Sequence, residues 1–313
     1  MRAVVIKDGG IVIEERPDPV PGPHEVLVRV HAAGLNGADI LQRAGHYPPP
    51  PGVPADMPGM EFAGEVRGNG PGAERFQLGD RVMGLIAGAG QAELLVAHER
   101  MLMMVPQRLD WPSAGGLPEV FTTAHDALFT QCGLQPGERL LVHGAAGGVG
   151  TAAVQLGRAG GALVTATVRN ARHRDFVASL GAAVLAPQDF VDEGPFDVIL
   201  ELVGAPNMVE NLRALRIGGR ISVIGTGAGA TVDEFPLGLL MARRGRLHGS
   251  TLRGRSLEEK ALTARAVERS VLPLFATGAL RVPVYKTFPL AQAAEAYATF
   301  AAGGKCGKIV LTI

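Results

Sequence analysis

The sequence predicts an α/β protein in which a doubly wound parallel sheet, carrying a dinucleotide cradle, is joined to a smaller, strongly bent β-domain. Three observations carry this. Residues 138–162 run from a short apolar strand through a glycine turn into a helix, further strand-helix units follow, and the first 118 residues are short β-runs punctuated by Gly and Pro. A chain of 313 residues also exceeds the size at which one core keeps growing, so two domains are expected.

In the amino-terminal part the predicted strands are Ala3–Ile6, Ile11–Glu14, Glu25–Val30, Gly59–Val66, Asp80–Leu85 and Ala92–Val96. Between them, a polar turn carrying Asn36 and Asp39 leads into a helix that ends at Gly45. Asn36 can be read as a helix cap and Asp39 as a first-turn acid that complements the helix dipole or pairs with Arg43. Tyr47 stands between that helix and four consecutive prolines, on a stiff loop; its hydroxyl suits either a cleft or a buried anchor. A helix over Leu117–Leu128 leads into the second domain, and His125 on it has no acidic or thiol partner at metal spacing.

The cradle follows. Leu140–Val142 read as a buried parallel strand, and Ala152, Val154, Leu156 and Ala159 as the apolar side of the returning helix. Gly147 and Gly150 supply the usual glycines, while Ala145 stands where the first would be. The backbone around Gly147, Gly148 and Val149 can therefore meet a pyrophosphate with free N–H groups and the positive end of the helix. With 43 glycines in the chain the bare pattern means little, but the strand before and the helix after make it specific. After the second strand, Leu163–Val168, an NAD-binding unit would carry an acid for the ribose hydroxyls. Here the run is Arg169-Asn-Ala-Arg-His-Arg174, with Asn170 and Arg172 in it and no acid before Asp175. Guanidinium forks suit a 2′-phosphate, so the segment favours NADPH; the plainer reading is a solvated basic helix face.

The alternation continues through strands Ala182–Leu185, Phe196–Val203 and Arg220–Ile224, helix Asn207–Leu215, helix Phe235–Arg246 with a solvated basic end, and strand Leu247–Leu252. Val203 and the Gly225 and Gly227 turn are strand ends where a nicotinamide could lie against backbone. Ser256 opens a capping box and one long helix to Thr277. A strand, helix and strand over 282–313 are expected to rejoin the amino-terminal domain, giving domains 1–119 with 258–313, and 120–257.

Balanced charge, 30 basic against 30 acidic residues, offers no footprint for nucleic acid or an anionic membrane and favours a small-molecule partner. Two cysteines, Cys132 and Cys306, are too few for a disulfide framework or a four-thiolate zinc loop, and fit a reducing, cytoplasmic compartment.

The stretches Asn36-Gly-Ala-Asp-Ile-Leu-Gln-Arg-Ala-Gly-His-Tyr-Pro-Pro-Pro50, Leu117-Pro-Glu-Val-Phe-Thr-Thr-Ala124, His143-Gly-Ala-Ala-Gly-Gly-Val-Gly-Thr-Ala-Ala153, Ser250-Thr-Leu-Arg-Gly-Arg255 and Gly307-Lys-Ile-Val-Leu311 together resemble the zinc-free, zeta-crystallin-like quinone oxidoreductases of the medium-chain dehydrogenase/reductase superfamily. The resemblance runs the full length. It implies a GroES-like substrate domain, a Rossmann domain, a cleft between them, homodimers, and hydride transfer from NADPH to quinones or related enones. It places Asn36 and Thr123 beside the nicotinamide, Tyr47 and Arg253 at the substrate, and Lys308 among the cofactor contacts. Arg172 falls where the family has a phosphate-binding lysine. Asn36 and Met60 replace the cysteine and histidine that hold zinc in zinc-dependent relatives, so no metal is expected. Reduction of an enoyl thioester, or dinucleotide binding without turnover, are the rival readings.

Overall fold

The computed structural model describes all 313 residues, in two compact units: Met1–Thr122 with Leu252–Ile313, and Thr123–Thr251. The amino-terminal elements are β1 (Arg2–Lys7), β2 (Gly10–Glu15), β3 (Glu25–Leu35), α1 (Gly37–Arg43), β4 (Glu61–Asn69), β5 (Arg81–Leu85), β6 (Leu94–His98), β7 (Leu102–Met104), α2 (Trp111–Gly115) and α3 (Pro118–His125). β3 runs five residues beyond its predicted end. It stays in the sheet because its last four residues, Ala32–Leu35, are all buried and pair with a strand from the far end of the chain.

The second unit continues with β8 (Arg139–Val142), α4 (Gly148–Ala159), β9 (Leu163–Thr167), α5 (Arg174–Ser179), β10 (Ala183–Leu185), β11 (Phe196–Glu201), α6 (Met208–Ala214), β12 (Leu215–Val223), α7 (Leu237–Arg243) and β13 (Arg246–Gly249). All six strands are parallel, in the order β10-β9-β8-β11-β12-β13. That is the Rossmann order, in which the strand order reverses between β8 and β11 and ligands bind beyond the carboxyl ends of the strands there. β11 is buried at every residue, as a central parallel strand must be. β12 begins at Leu215, ahead of the predicted Arg220. Arg243 is less solvated than its sequence suggests, since its guanidinium donates to the carbonyls of Leu212 and Arg213.

The chain then returns through α8 (Leu257–Ser270), α9 (Leu272–Ala276), β14 (Val284–Pro289), α10 (Ala293–Ala302) and β15 (Lys308–Thr312). Ser256 and Glu259 form the predicted capping box, with Ser256 N–H donating to the glutamate at 2.9 Å. The single long helix expected here is two: the chain breaks at Val271, and Pro273, which lacks an N–H, sits in the first turn of the second. β15 pairs antiparallel with β3, completing the first unit's sheet in the order β14-β15-β3-β4-β5-β7. The core of that sheet is Val26, Val28, Phe62, Val82, Leu95 and Leu102. No helix is long and apolar enough to cross a membrane.

Candidate active site

In the second unit, three strand-end turns come together. After β8 the left-handed residue is Gly144, with φ +62°, rather than Ala145, which is wholly buried. The cradle's tight turn is thus one residue earlier than the glycine pattern implies, and Ala145 packs its methyl inward while its N–H bonds Thr167 O. Gly147 caps α4 with no side chain reaching the first turn, which leaves the N–H groups around Gly148 and Val149 for a ligand. Gly150 permits the close approach of helix to turn, since a Cβ there would stand 2.5 Å from Gly144 O. A Cβ on Gly225 would likewise stand 2.5 Å from Leu202 O, whereas Gly227 faces open space.

The turn after β11 is organised by a residue the sequence reading missed. Glu201 is fully buried and accepts the N–H groups of Val203 and Gly204 at 2.6 and 2.8 Å, and the Asn211 amide at 2.7 Å. Asn211 Oδ1 in turn lies 2.8 Å from His143 Nε2, and His143 Nδ1 lies 2.9 Å from Thr167 Oγ1. Burial lowers the His143 pKa, so the neutral ring with its proton on Nε2 satisfies every member of the chain. An acid directly after the apolar run Val198–Leu200, at the carboxyl end of the strand, was the available signal.

At the end of β9, Arg169 and Arg172 are exposed and pair with no carboxylate, while Asn170 caps the following turn by accepting Arg172 N–H at 3.1 Å. Arg174 is engaged, donating to Val168 O at 3.2 Å. Thr123, the first residue of this unit, is 6% exposed.

In the first unit the structure brings Asn36 and Lys308 together around Glu61. Lys308 Nζ lies 2.6 Å from Glu61 Oε1 and 2.6 Å from Asn36 Oδ1, and donates to Leu35 O at 2.8 Å. Asn36 Nδ2 donates to Glu61 at 2.9 Å, and the second carboxylate oxygen accepts Glu119 N–H. All three of the ammonium's donors are thereby used inside the protein, so Lys308 is turned toward Asn36 rather than toward a ligand. Gly34 makes room for this, because a Cβ there would collide with the Glu61 carboxylate.

Asp39 does not pair with Arg43. It is fully buried and accepts the N–H groups of Asn36 and Gly59 at 2.9 and 3.0 Å, fixing the turn that presents Asn36. Loss of water outweighs those two bonds and pushes its pKa up to about 6. The folded value lies above the unfolded one, so Asp39 contributes stability that is fully present below about pH 4 and is lost as pH rises through 6. Wild type measured against Asp39→Asn should therefore lose relative stability between those limits, on the order of 2–3 kcal/mol. Urea midpoints at pH 4 and pH 7, read from Trp111, the chain's single tryptophan, check this; a difference that stays flat with pH would refute it.

Tyr47 and Arg253 are the other pair brought together, the guanidinium lying 5.2 Å from the ring centroid. Burial raises the Tyr47 pKa, the nearby Arg253 charge opposing it, so the phenol is neutral at pH 7. A separate pocket in this unit, lined by Leu85, Met103, Leu252 and Lys260 among others, includes neither Asn36 nor Tyr47.

Comparison with known proteins agrees with this architecture. Residues 22–136 match the alcohol dehydrogenase GroES-like domain, and residues 166–311 match the zinc-binding dehydrogenase family. The chain is 32% identical over its whole length to 98% of human quinone oxidoreductase. It is also 34% identical, over 92% of its length, to 5% of the polyketide synthase GfsB of Streptomyces halstedii. An alcohol dehydrogenase superfamily protein from Novosphingobium aromaticivorans superposes with a TM-score of 0.90 at 28% identity, covering 100% of this chain and 99% of that one. The chain thus belongs to the medium-chain dehydrogenase/reductase superfamily of oxidoreductases, in its zeta-crystallin-like quinone oxidoreductase branch.

Proposed function

We propose that this oxidoreductase uses NADPH to reduce quinones or related conjugated carbonyls without a metal. The observation that carries the cofactor is the end of β9, where two unpaired guanidiniums, Arg169 and Arg172, stand in place of an acid. The glycine turns fit the rest of a dinucleotide. Gly147, Gly148 and Val149 would hold the pyrophosphate, and Val203, Gly225, Gly227 and Thr123 the nicotinamide end, with Ala145 shaping the turn from beneath. When bound, the cofactor supplies a hydride. The protein's own part is to hold the acceptor flat, orient it and exclude water.

Metal independence is supported by the donor set. Asn36 offers a neutral amide already bonded to Glu61 and Lys308, and Met60 a thioether only 4% exposed, so neither thiolate nor imidazole is at hand. Asn36 is left to orient a carbonyl by its side chain. The Tyr47 hydroxyl can donate a proton to a reduced acceptor. A hydroquinone anion is delocalised and can also take protons from water, so Tyr47→Phe should lower kcat with a quinone by no more than about tenfold. Loss of 10³-fold or more would make the tyrosine an obligatory acid and favour an enone substrate, whose enolate carbon must be protonated. A homodimer is supported by β13, an edge strand whose neighbourhood exposes Leu237, Met241 and Leu247.

The deciding experiment follows NADPH oxidation with an ortho-quinone, then with NADH, then with an enoyl thioester. Rapid quinone turnover that prefers NADPH is expected. Faster turnover of the thioester would move the substrate class, and binding without any turnover would defeat the enzymatic reading.

A further inference from the structure

Arg253 is 2% exposed, the largest fully buried side chain in the protein. Its Nε donates to Ala87 O at 2.6 Å, one terminal nitrogen to Tyr47 O at 2.8 Å, and the other to Gln42 Oε1 at 2.6 Å. A group that binds substrate needs reachable donors, and here the fork is committed to the protein on every nitrogen. What it holds is informative. Residues 47–55 contain five prolines, which donate no backbone hydrogen bonds, and within the loop Val53 N–H to Pro50 O, at 3.3 Å, is its single backbone bond. A stiff loop with so few internal ties takes its position from its ends. Arg253 holds the Tyr47 end, and Gln42, held by Arg253, donates from Nε2 to Ala55 O at 2.9 Å at the other. The Ala87–Gly88 turn closes the frame: a Cβ on Gly88 would stand 2.7 Å from Val53 Cγ1.

We propose that Arg253, through Gln42, is a positioning residue that fixes both ends of the proline loop and so sets where the Tyr47 ring and hydroxyl stand. The proposal rests on Tyr47 facing the acceptor, but its structural half is testable without turnover. Incorporation of 3-fluorotyrosine gives three ¹⁹F resonances, from Tyr47, Tyr285 and Tyr297, with Tyr47 identified by its loss in Tyr47→Phe. Arg253→Lys keeps the charge and loses the fork; Gln42→Ala removes the second anchor and touches no ligand. Both should shift and broaden the Tyr47 resonance. Both should also lower kcat/KM for the acceptor by about 10- to 100-fold, as expected when a reacting group is misplaced by an ångström, with the Kd of the dinucleotide within about twofold, a change of no more than RT ln 2. Should Arg253→Lys abolish turnover while the Tyr47 resonance stays put and Gln42→Ala behaves as wild type, Arg253 is a ligand and the proposal fails. If the wild type turns over no acceptor at all, the proposed function falls, and the ¹⁹F spectra of the two variants still decide the loop's anchoring.

Discussion

Replacing Arg169 and Arg172 together by alanine is expected to weaken NADPH binding by 10²- to 10⁴-fold while leaving NADH binding within about threefold. The magnitude follows from two charge-assisted hydrogen bonds to a phosphate at about 1.5–3 kcal/mol each. Both side chains are exposed, neither is engaged by a carboxylate, and the strand that precedes them ends without an acid, so nothing in the protein competes for the guanidiniums. Because the pair is solvated, the effect should shrink as ionic strength rises past ~0.15 M. Single variants should divide the loss unequally. Asn170 bonds the N–H of Arg172 and ties that arginine's backbone, so less entropy opposes its binding than opposes that of Arg169. Titration of each dinucleotide by fluorescence measures this directly. Equal losses for NADPH and NADH would mean that the arginines serve a solvated helix face and that phosphate selectivity lies elsewhere.

The parts of the molecule legible in the sequence are those whose cause is local. The strand, glycine turn and helix of the cradle lie within 25 residues, and each signal, apolar run, small residues and apolar helix face, acts on its neighbours. Ser256 and Glu259 announce their helix for the same reason. Within the cradle, however, the left-handed turn moved to Gly144, because three glycines and two alanines in a row, Gly144 to Gly148, leave the backbone several ways to turn and only packing selects one. Of the candidate site, single residues stand out in the sequence but the relations among them do not. Asn36 reads as a helix cap in isolation; its partners Glu61 and Lys308 are 25 and 272 residues away. Arg253 is a basic residue on a loop until Tyr47 and Gln42, 206 and 211 residues away, take up its hydrogen bonds. Periodicity and spacing carry no information at that range. The break at Val271 is different, since Pro273 stood in plain sight and the apolar period on both sides disguised it.

Those long-range relations carry the second large effect. Lys308→Met is expected to destabilise the first unit by roughly 3–5 kcal/mol, the cost of leaving a buried charge without its partner. Glu61 is fully buried and Lys308 is 2% exposed, so water cannot replace the lost ammonium. The remaining bonds to Glu61, from Asn36 Nδ2 and Glu119 N–H, are both from neutral donors. Glu61→Gln in the same chain removes the orphaned charge, and the double variant should recover part of the loss, giving a coupling of 1 kcal/mol or more. Trp111 reports on the right unit: it is the chain's single tryptophan and stacks on His31 with ring centroids 4.4 Å apart. Denaturant midpoints followed by its fluorescence give the cycle. Function should separate from stability in the double variant. With the charges gone the sheet can refold around a neutral pair, yet Asn36 has lost the cation that holds its amide oxygen, so its side chain is free to turn. Turnover should stay low in a protein whose midpoint has risen. If Lys308→Met instead unfolds within 0.5 kcal/mol of wild type, the ammonium is not compensating a buried carboxylate, and its three inward contacts say nothing about what keeps Asn36 in place.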